Sequence, residues 1–128
     1  MKPLTQEWVE KAEADFITAQ REFRARRNPN YDAVCFHTQQ CVEKYLKARL
    51  QEANIQFTKT HDLVVLLDLV LPLESMWAIH RSDLRELSAA AVEIRYPGVS
   101  ADREAAHTAL TTCKDIRRLI RYSLGFGN

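Results

Sequence analysis

The sequence lacks the alternation of apolar and polar residues that marks a half-buried strand, and no unit of roughly twenty to fifty residues repeats along it. Sheet folds and solenoids are thereby excluded. Only three Gly and four Pro occur in 128 residues, against 46% apolar and 27% charged positions, a balance that suits a folded chain and not a disordered tail. Cysteine is scarce: Cys35, Cys41 and Cys113 are odd in number and follow no paired spacing, which suits reduced core thiols better than a disulfide framework. Cys35, His37 and Cys41 have no fourth ligand in register, so no metal site is assigned.

An excess of either charge is also missing. Eighteen basic residues face seventeen acidic ones for a formal charge of +1, so no overall field draws the protein to nucleic acid or to an anionic membrane. Any electrostatic attraction must be local. The N-terminus, MKPLTQEWVEKAEADF, carries charges every few residues and no apolar signal core, and neither a signal peptide nor a membrane span is readable anywhere. The expectation is a cytoplasmic protein without a membrane partner. No Gly-rich phosphate loop and no nucleophile elbow occur, and no cofactor is predicted.

What is present is helical periodicity. From Thr5 to Arg27, Trp8, Ala12, Phe16, Ala19 and Phe23 recur at steps of three and four, with Thr5 placed to cap the start. Pro29 and its flanking Asn residues end that helix. A second helix from about Tyr31 to Ala53 carries Val34, Cys35, Thr38, Cys41, Val42, Tyr45, Leu46 and Leu50, a sector wide enough for the centre of a bundle. Thr60 is placed to cap a short third helix in HDLVVLLDLV. ESMWAIHRSDLRELSAAAVEI supplies a fourth, with a break admissible near His80 to Ser82, and RYPG stops it. A last helix, capped from Ser100, places Ala106, Ala109, Leu110, Cys113, Ile116, Ile120 and Leu124 in one stripe. The expected fold is all-α, an up-and-down antiparallel bundle of four to five helices forming one domain over residues 1–128.

Four blocks carry a family likeness: W-x3-A-x2-D-F at Trp8 to Phe16, FHTQQCVEKYLKA at Phe36 to Ala48, KTHDL at Lys59 to Leu63, and IRYPG at Ile94 to Gly98. In this order they resemble the HEPN family, the "higher eukaryotes and prokaryotes nucleotide-binding" domain. The resemblance implies a helical bundle that is often a homodimer, is frequently encoded beside a minimal nucleotidyltransferase as its partner, and binds nucleotides or acts on RNA. Catalytic members are ribonucleases of toxin–antitoxin type that use an Arg followed after four to six residues by a His. Arg95 stands where that Arg is expected, but Ser100, Ala101 and Asp102 follow. The nearest approximation is Arg103 with His107, three residues intervening.

Two kinds of candidate site result. For RNA cleavage a base must draw the proton from a ribose 2′-hydroxyl while a cation stabilises the phosphorus centre, roles for which His107 with Arg103, or His37 with Arg95, are the candidates, the altered site being placed around Arg95, Arg103 and His107. For ligand binding, His37, Gln40, Glu43, Lys44 and Lys47 recur at helical steps and form one polar strip, predicted to open into a cleft. The lysines suit phosphates and His37 and Gln40 suit a base or ribose edge. The competing reading is a wet helix face with an ordinary Glu43–Lys47 pair. His61, at the start of the third helix, and Arg95 with Tyr96 at the end of the fourth complete the ligand-binding candidates. Arg21, Arg24, Arg26 and Arg27, and Lys114, Arg117, Arg118 and Arg121, cluster near two helix ends. Dipole compensation suffices to explain both clusters, and RNA phosphates are the alternative.

Overall fold

In a computed structural model, which describes residues 1–127, the chain forms five α-helices and one 3-10 turn: α1 (Pro3–Phe23), α2 (Tyr31–Glu52), α3 (Leu63–Val70), the turn (Ser75–His80), α4 (Arg81–Glu93) and α5 (Arg103–Ser123). No strand occurs among the described residues. The break expected near His80 is the junction between the 3-10 turn and α4, where Trp77 is buried.

The helix starts differ from the expected caps in a consistent way. Pro3 opens α1, because proline has no amide hydrogen to leave unpaired in a first turn, and Thr5 is buried inside the helix. Asp62 rather than Thr60 caps α3, accepting from the Val64 amide at 2.9 Å, and Asp102 rather than Ser100 caps α5, accepting from Ala105 at 2.8 Å. In each case a carboxylate both satisfies an orphan N–H and opposes the positive end of the helix dipole. Asn30 caps α2 through the Ala33 amide. Between α1 and α2, Asn28 adopts a left-handed conformation with φ 48°, which reverses the chain ahead of Pro29.

α2 is central. It packs on α1, α3, α4 and α5 and contributes Val34, Cys41, Val42, Tyr45, Leu46 and Leu50 to a core completed by Leu63, Leu66, Leu67, Leu84 and Ile120. Each such buried side chain contributes roughly 1.5–3 kcal/mol of apolar transfer energy, which fixes the helix faces. α1 and α2 run antiparallel, with Phe23 near Tyr31 at one end and Lys2 against Glu52 at the other. The link after α2 carries the chain back along it: His61 meets Glu43, α3 follows, and Glu74 then meets Arg49 nearer the end of α2. The three thiols are fully buried, and burial, then Asp32 and Asp102, push Cys35 up to about 11. Such a thiol is a poor nucleophile at neutral pH.

Candidate functional site

The polar strip of α2 does not open as one continuous surface. Its members separate into two groups, because α1 packs along one flank of the helix and the residues before α3 along the other. On the α1 flank, Asp15 accepts from His37 Nδ1 at 2.8 Å and from Lys44 Nζ at 2.5 Å. Both donors are partly covered, and Asp15 is 12% exposed at its side chain. Beside them Glu13 accepts from Tyr45 Oη at 2.5 Å and from Arg117 Nε and Nη2 at 2.7 and 2.6 Å, joining α1, α2 and α5. Burial raises the Glu13 carboxyl, but the hydrogen bonds from Arg117 and Tyr45 and the charges of Arg117 and Arg121 outweigh it, so the group lies below its ordinary value of 4.5.

On the other flank Glu43 is inside the protein, 3% exposed. Its Oε2 accepts from Lys47 Nζ at 3.0 Å, and its Oε1 faces His61 Nδ1 at 2.9 Å and Gln39 Nε2 at 3.3 Å. Lys47 is buried too, with its ammonium 5.5 Å from the centre of the Trp8 ring and 5.9 Å from that of Phe57. The Glu43–Lys47 pair is therefore neither a wet-face ion pair nor part of an open cleft. It is a buried, aromatic-walled pair. Gln40, half-buried, donates to Gln39 Oε1 at 2.8 Å.

From this buried group one side chain reaches solvent. His61 is 75% exposed at its side chain, and it lines a groove of about 600 Å³ between the start of α3 and the outer face of α4. Arg85 and Arg95 line the same groove together with the carboxylates Asp62 and Glu93, and Val64, Ala89 and Val92 give it apolar wall. Neither arginine has a carboxylate within ion-pair distance among the described residues. Ser88 Oγ accepts from the Leu63 amide, and Gln39 Nε2 donates to the His61 carbonyl at 2.8 Å, which holds the His61 backbone against α2. A second recess, about 330 Å³ between α4 and α5, is rimmed by Asp83, Glu86, Asp102 and Glu104. Four carboxylates and, among the described residues, no basic residue line that recess, whereas Arg85 and Arg95 accompany Asp62 and Glu93 in the α3/α4 groove, so the α3/α4 groove is the better anion site of the two.

The structure brings His61 and Arg95 together, while Tyr96 is exposed beyond the groove lining and His37 and Lys44 belong to the α1 flank. Arg103 and His107 lie elsewhere, at the start of α5. The Arg103 guanidinium stacks 4.9 Å from the Phe23 ring centre and the His107 ring lies 5.9 Å from it, so both flank one α1 residue above a shallow depression that Arg95 does not line. Arg103 thus meets the end of α1, and the basic residues 21–27 share that end of the bundle. Arg117 and Arg121 pair with Glu13 farther along.

Three participants escaped the sequence reading. Asp15 shares the Ala12–Phe16–Ala19 face, Gln39 sits between Cys35 and Val42 on the buried side of α2, and Arg85 is one of a row with Ser88, Val92 and Arg95. A carboxylate or amide on an apolar face was a readable signal in the first two. In the third, it was two arginines ten positions apart with small residues between.

A HEPN domain model matches residues 5–122 of the chain. The fold is similar to that of the crystal structure of an archaeal HEPN homologue, with a TM-score of 0.73 at 23% identity over 97% of this chain and 99% of the other. No curated protein matches the sequence significantly.

Proposed function

Because the chain belongs to the HEPN family, we propose that it binds a nucleotide in the α3/α4 groove and serves as a helical partner, without catalysis of its own, for a minimal nucleotidyltransferase. The observation that carries this reading is the convergence of His61, Arg85 and Arg95 on one groove, where two uncommitted guanidiniums suit phosphate and apolar wall suits a base. The solvent-exposed Leu73, Met76 and Ile79, around the 3-10 turn, offer an apolar surface to a protein partner or to a second copy in a homodimer. The test is thermal unfolding with a panel of nucleoside mono- and triphosphates. A ligand held only by the native state raises stability by about 2.7 kcal/mol at a hundred times its Kd. Stabilisation that disappears in Arg95→Ala supports the groove, and a panel without effect refutes it.

A second reading is a ribonuclease of toxin–antitoxin type with an altered Arg/His site. It is favoured by the exposure of Arg103 and His107, one helical turn apart around Phe23. Incubation of the purified protein with RNA, with His107→Ala as control, decides it: cleavage that the substitution abolishes makes the protein an enzyme.

A further inference from the structure

The groove reading leaves open what its imidazole contributes, and the hydrogen bonds behind the ring answer that. We infer that His61 makes the groove selective for ribonucleotides, by accepting a hydrogen bond at Nε2 from a ribose hydroxyl. The inference rests on nucleotide binding in the α3/α4 groove and goes on to name the sugar.

A carboxylate can only accept. Glu43 Oε1, 2.9 Å from His61 Nδ1, therefore fixes the ring proton on Nδ1. Lys47 engages the other oxygen of this buried carboxylate, Oε2, at 3.0 Å, which leaves Oε1 to the imidazole and to Gln39. In the neutral ring fixed this way, Nε2 carries a lone pair and no proton. Burial of Glu43 and the three donors around it hold the orientation. The exposed ring is thereby set from inside the protein, as an outer partner orients a working histidine elsewhere.

The remaining polar groups of the groove show what Nε2 is left to do. Arg85 and Arg95 offer donors alone, matched to phosphate oxygens. Ser88 Oγ accepts from the Leu63 amide and Asp62 Oδ1 from the Val64 amide, and Gln39 is engaged by the His61 carbonyl, Glu43 and Gln40. The side-chain acceptors open to a ligand are His61 Nε2, the second oxygen of Asp62, the remaining lone pair of Ser88 Oγ and the Glu93 carboxylate, and among them His61 Nε2 is the one whose ring is oriented from inside the protein. Besides its phosphates, a nucleotide carries two kinds of donor, the sugar hydroxyls and the amino or imino groups of the base. A sugar hydroxyl is separated from the 5′-phosphate by a few bonds and donates to a neutral nitrogen while the phosphate meets the arginines.

Isothermal titration of the full chain with AMP, 2′-deoxy-AMP and 3′-deoxy-AMP, and with the corresponding guanosine nucleotides, tests the inference. The 2′-deoxy compound should bind roughly tenfold more weakly than the ribonucleotide, the cost of one lost hydrogen bond, and a loss confined to the 3′-deoxy compound would overturn the selectivity. In His61→Phe, which keeps a flat ring at an exposed position, that ratio should fall to one. In Arg95→Ala all ligands should weaken together, with the ratio kept. Equal binding of ribo and deoxy forms, a ratio that survives His61→Phe, or a preference that follows the base amino group would overturn the inference while leaving the groove intact. Failure of every nucleotide to bind would overturn the groove reading and this inference with it.

Discussion

The two flanks of α2 use the same chemistry for different ends. Toward α1, the carboxylates Glu13 and Asp15 draw in Tyr45, Arg117, His37 and Lys44, each joined to a carboxylate between helices. Toward α3, Glu43 gathers Lys47, Gln39 and His61 just as closely, yet His61 stays three-quarters exposed. One flank fastens helices together, and the other fixes one exposed ring. A carboxylate with a histidine is thus not itself a site; what distinguishes the two is that the His61 side chain is 75% exposed and lines a groove with two arginines, while that of His37 is 29% exposed and shares its carboxylate with Lys44.

The contrast is most easily broken at Glu43. Glu43→Ala leaves the Lys47 ammonium buried between Trp8 and Phe57 without a counter-ion, and urea unfolding should show a loss of about 3–5 kcal/mol. Replacing both members, Glu43→Leu with Lys47→Met, should recover most of that loss, because well-packed apolar residues often match a buried pair in stability. If the double variant is stable yet has lost its ligand response, the pair serves the groove. A double variant as unstable as Glu43→Ala would instead make it a structural clamp like those facing α1.

At Glu13 the expected loss is smaller. Glu13→Gln keeps the shape but removes the charge that Arg117 and Arg121 face, and should cost about 1.5–3 kcal/mol, the range of a hydrogen bond to a charged group. The sign of its pH dependence follows from the lowered carboxyl. A group whose folded value is depressed adds stability above its unfolded value, and that stability is lost as pH falls through the folded one. Wild-type stability should therefore decline below about pH 4.5, and the decline should be shallower in Glu13→Gln. Equal slopes for the two proteins would remove Glu13 from the clamp.

These particulars also show how far the sequence carries. The all-helical bundle and the registers of α1, α2 and α5 were readable, because a stripe at steps of three and four reports burial of one face directly. The caps were misplaced by two residues at α3 and α5, where Asp competes with a nearby Thr or Ser for the same amide. Only part of the site was legible. His61 and Arg95 stood out as polar groups beside helix ends, but the strip on α2 looked continuous because spacing along one helix is silent about what packs on each side. Whether Lys47 faces water or Trp8 depends on a residue 39 positions away, and Phe57 closes the cage only because the link after α2 folds back. Buried polar pairing is a property of two segments, and periodicity describes one.

The smallest expected effect compares the two histidines themselves. His37 is 29% exposed at its side chain and shares Asp15 with Lys44, so His37→Ala removes one hydrogen bond and some packing while the carboxylate keeps its stronger partner. Unfolding should show a loss of about 0.5–1.5 kcal/mol. His61→Ala gives up little burial, and Glu43 retains Lys47 and Gln39, so its loss should fall within about 0.5 kcal/mol, as at most exposed positions. Nucleotide response should run the other way, unchanged in His37→Ala and diminished in His61→Ala. A His61→Ala protein destabilised more than His37→Ala would place His61 among the helix clamps. The asymmetry between the flanks of α2 would then be one of exposure alone, because a ring that the fold needs for stability is not one it holds in reserve for a ligand.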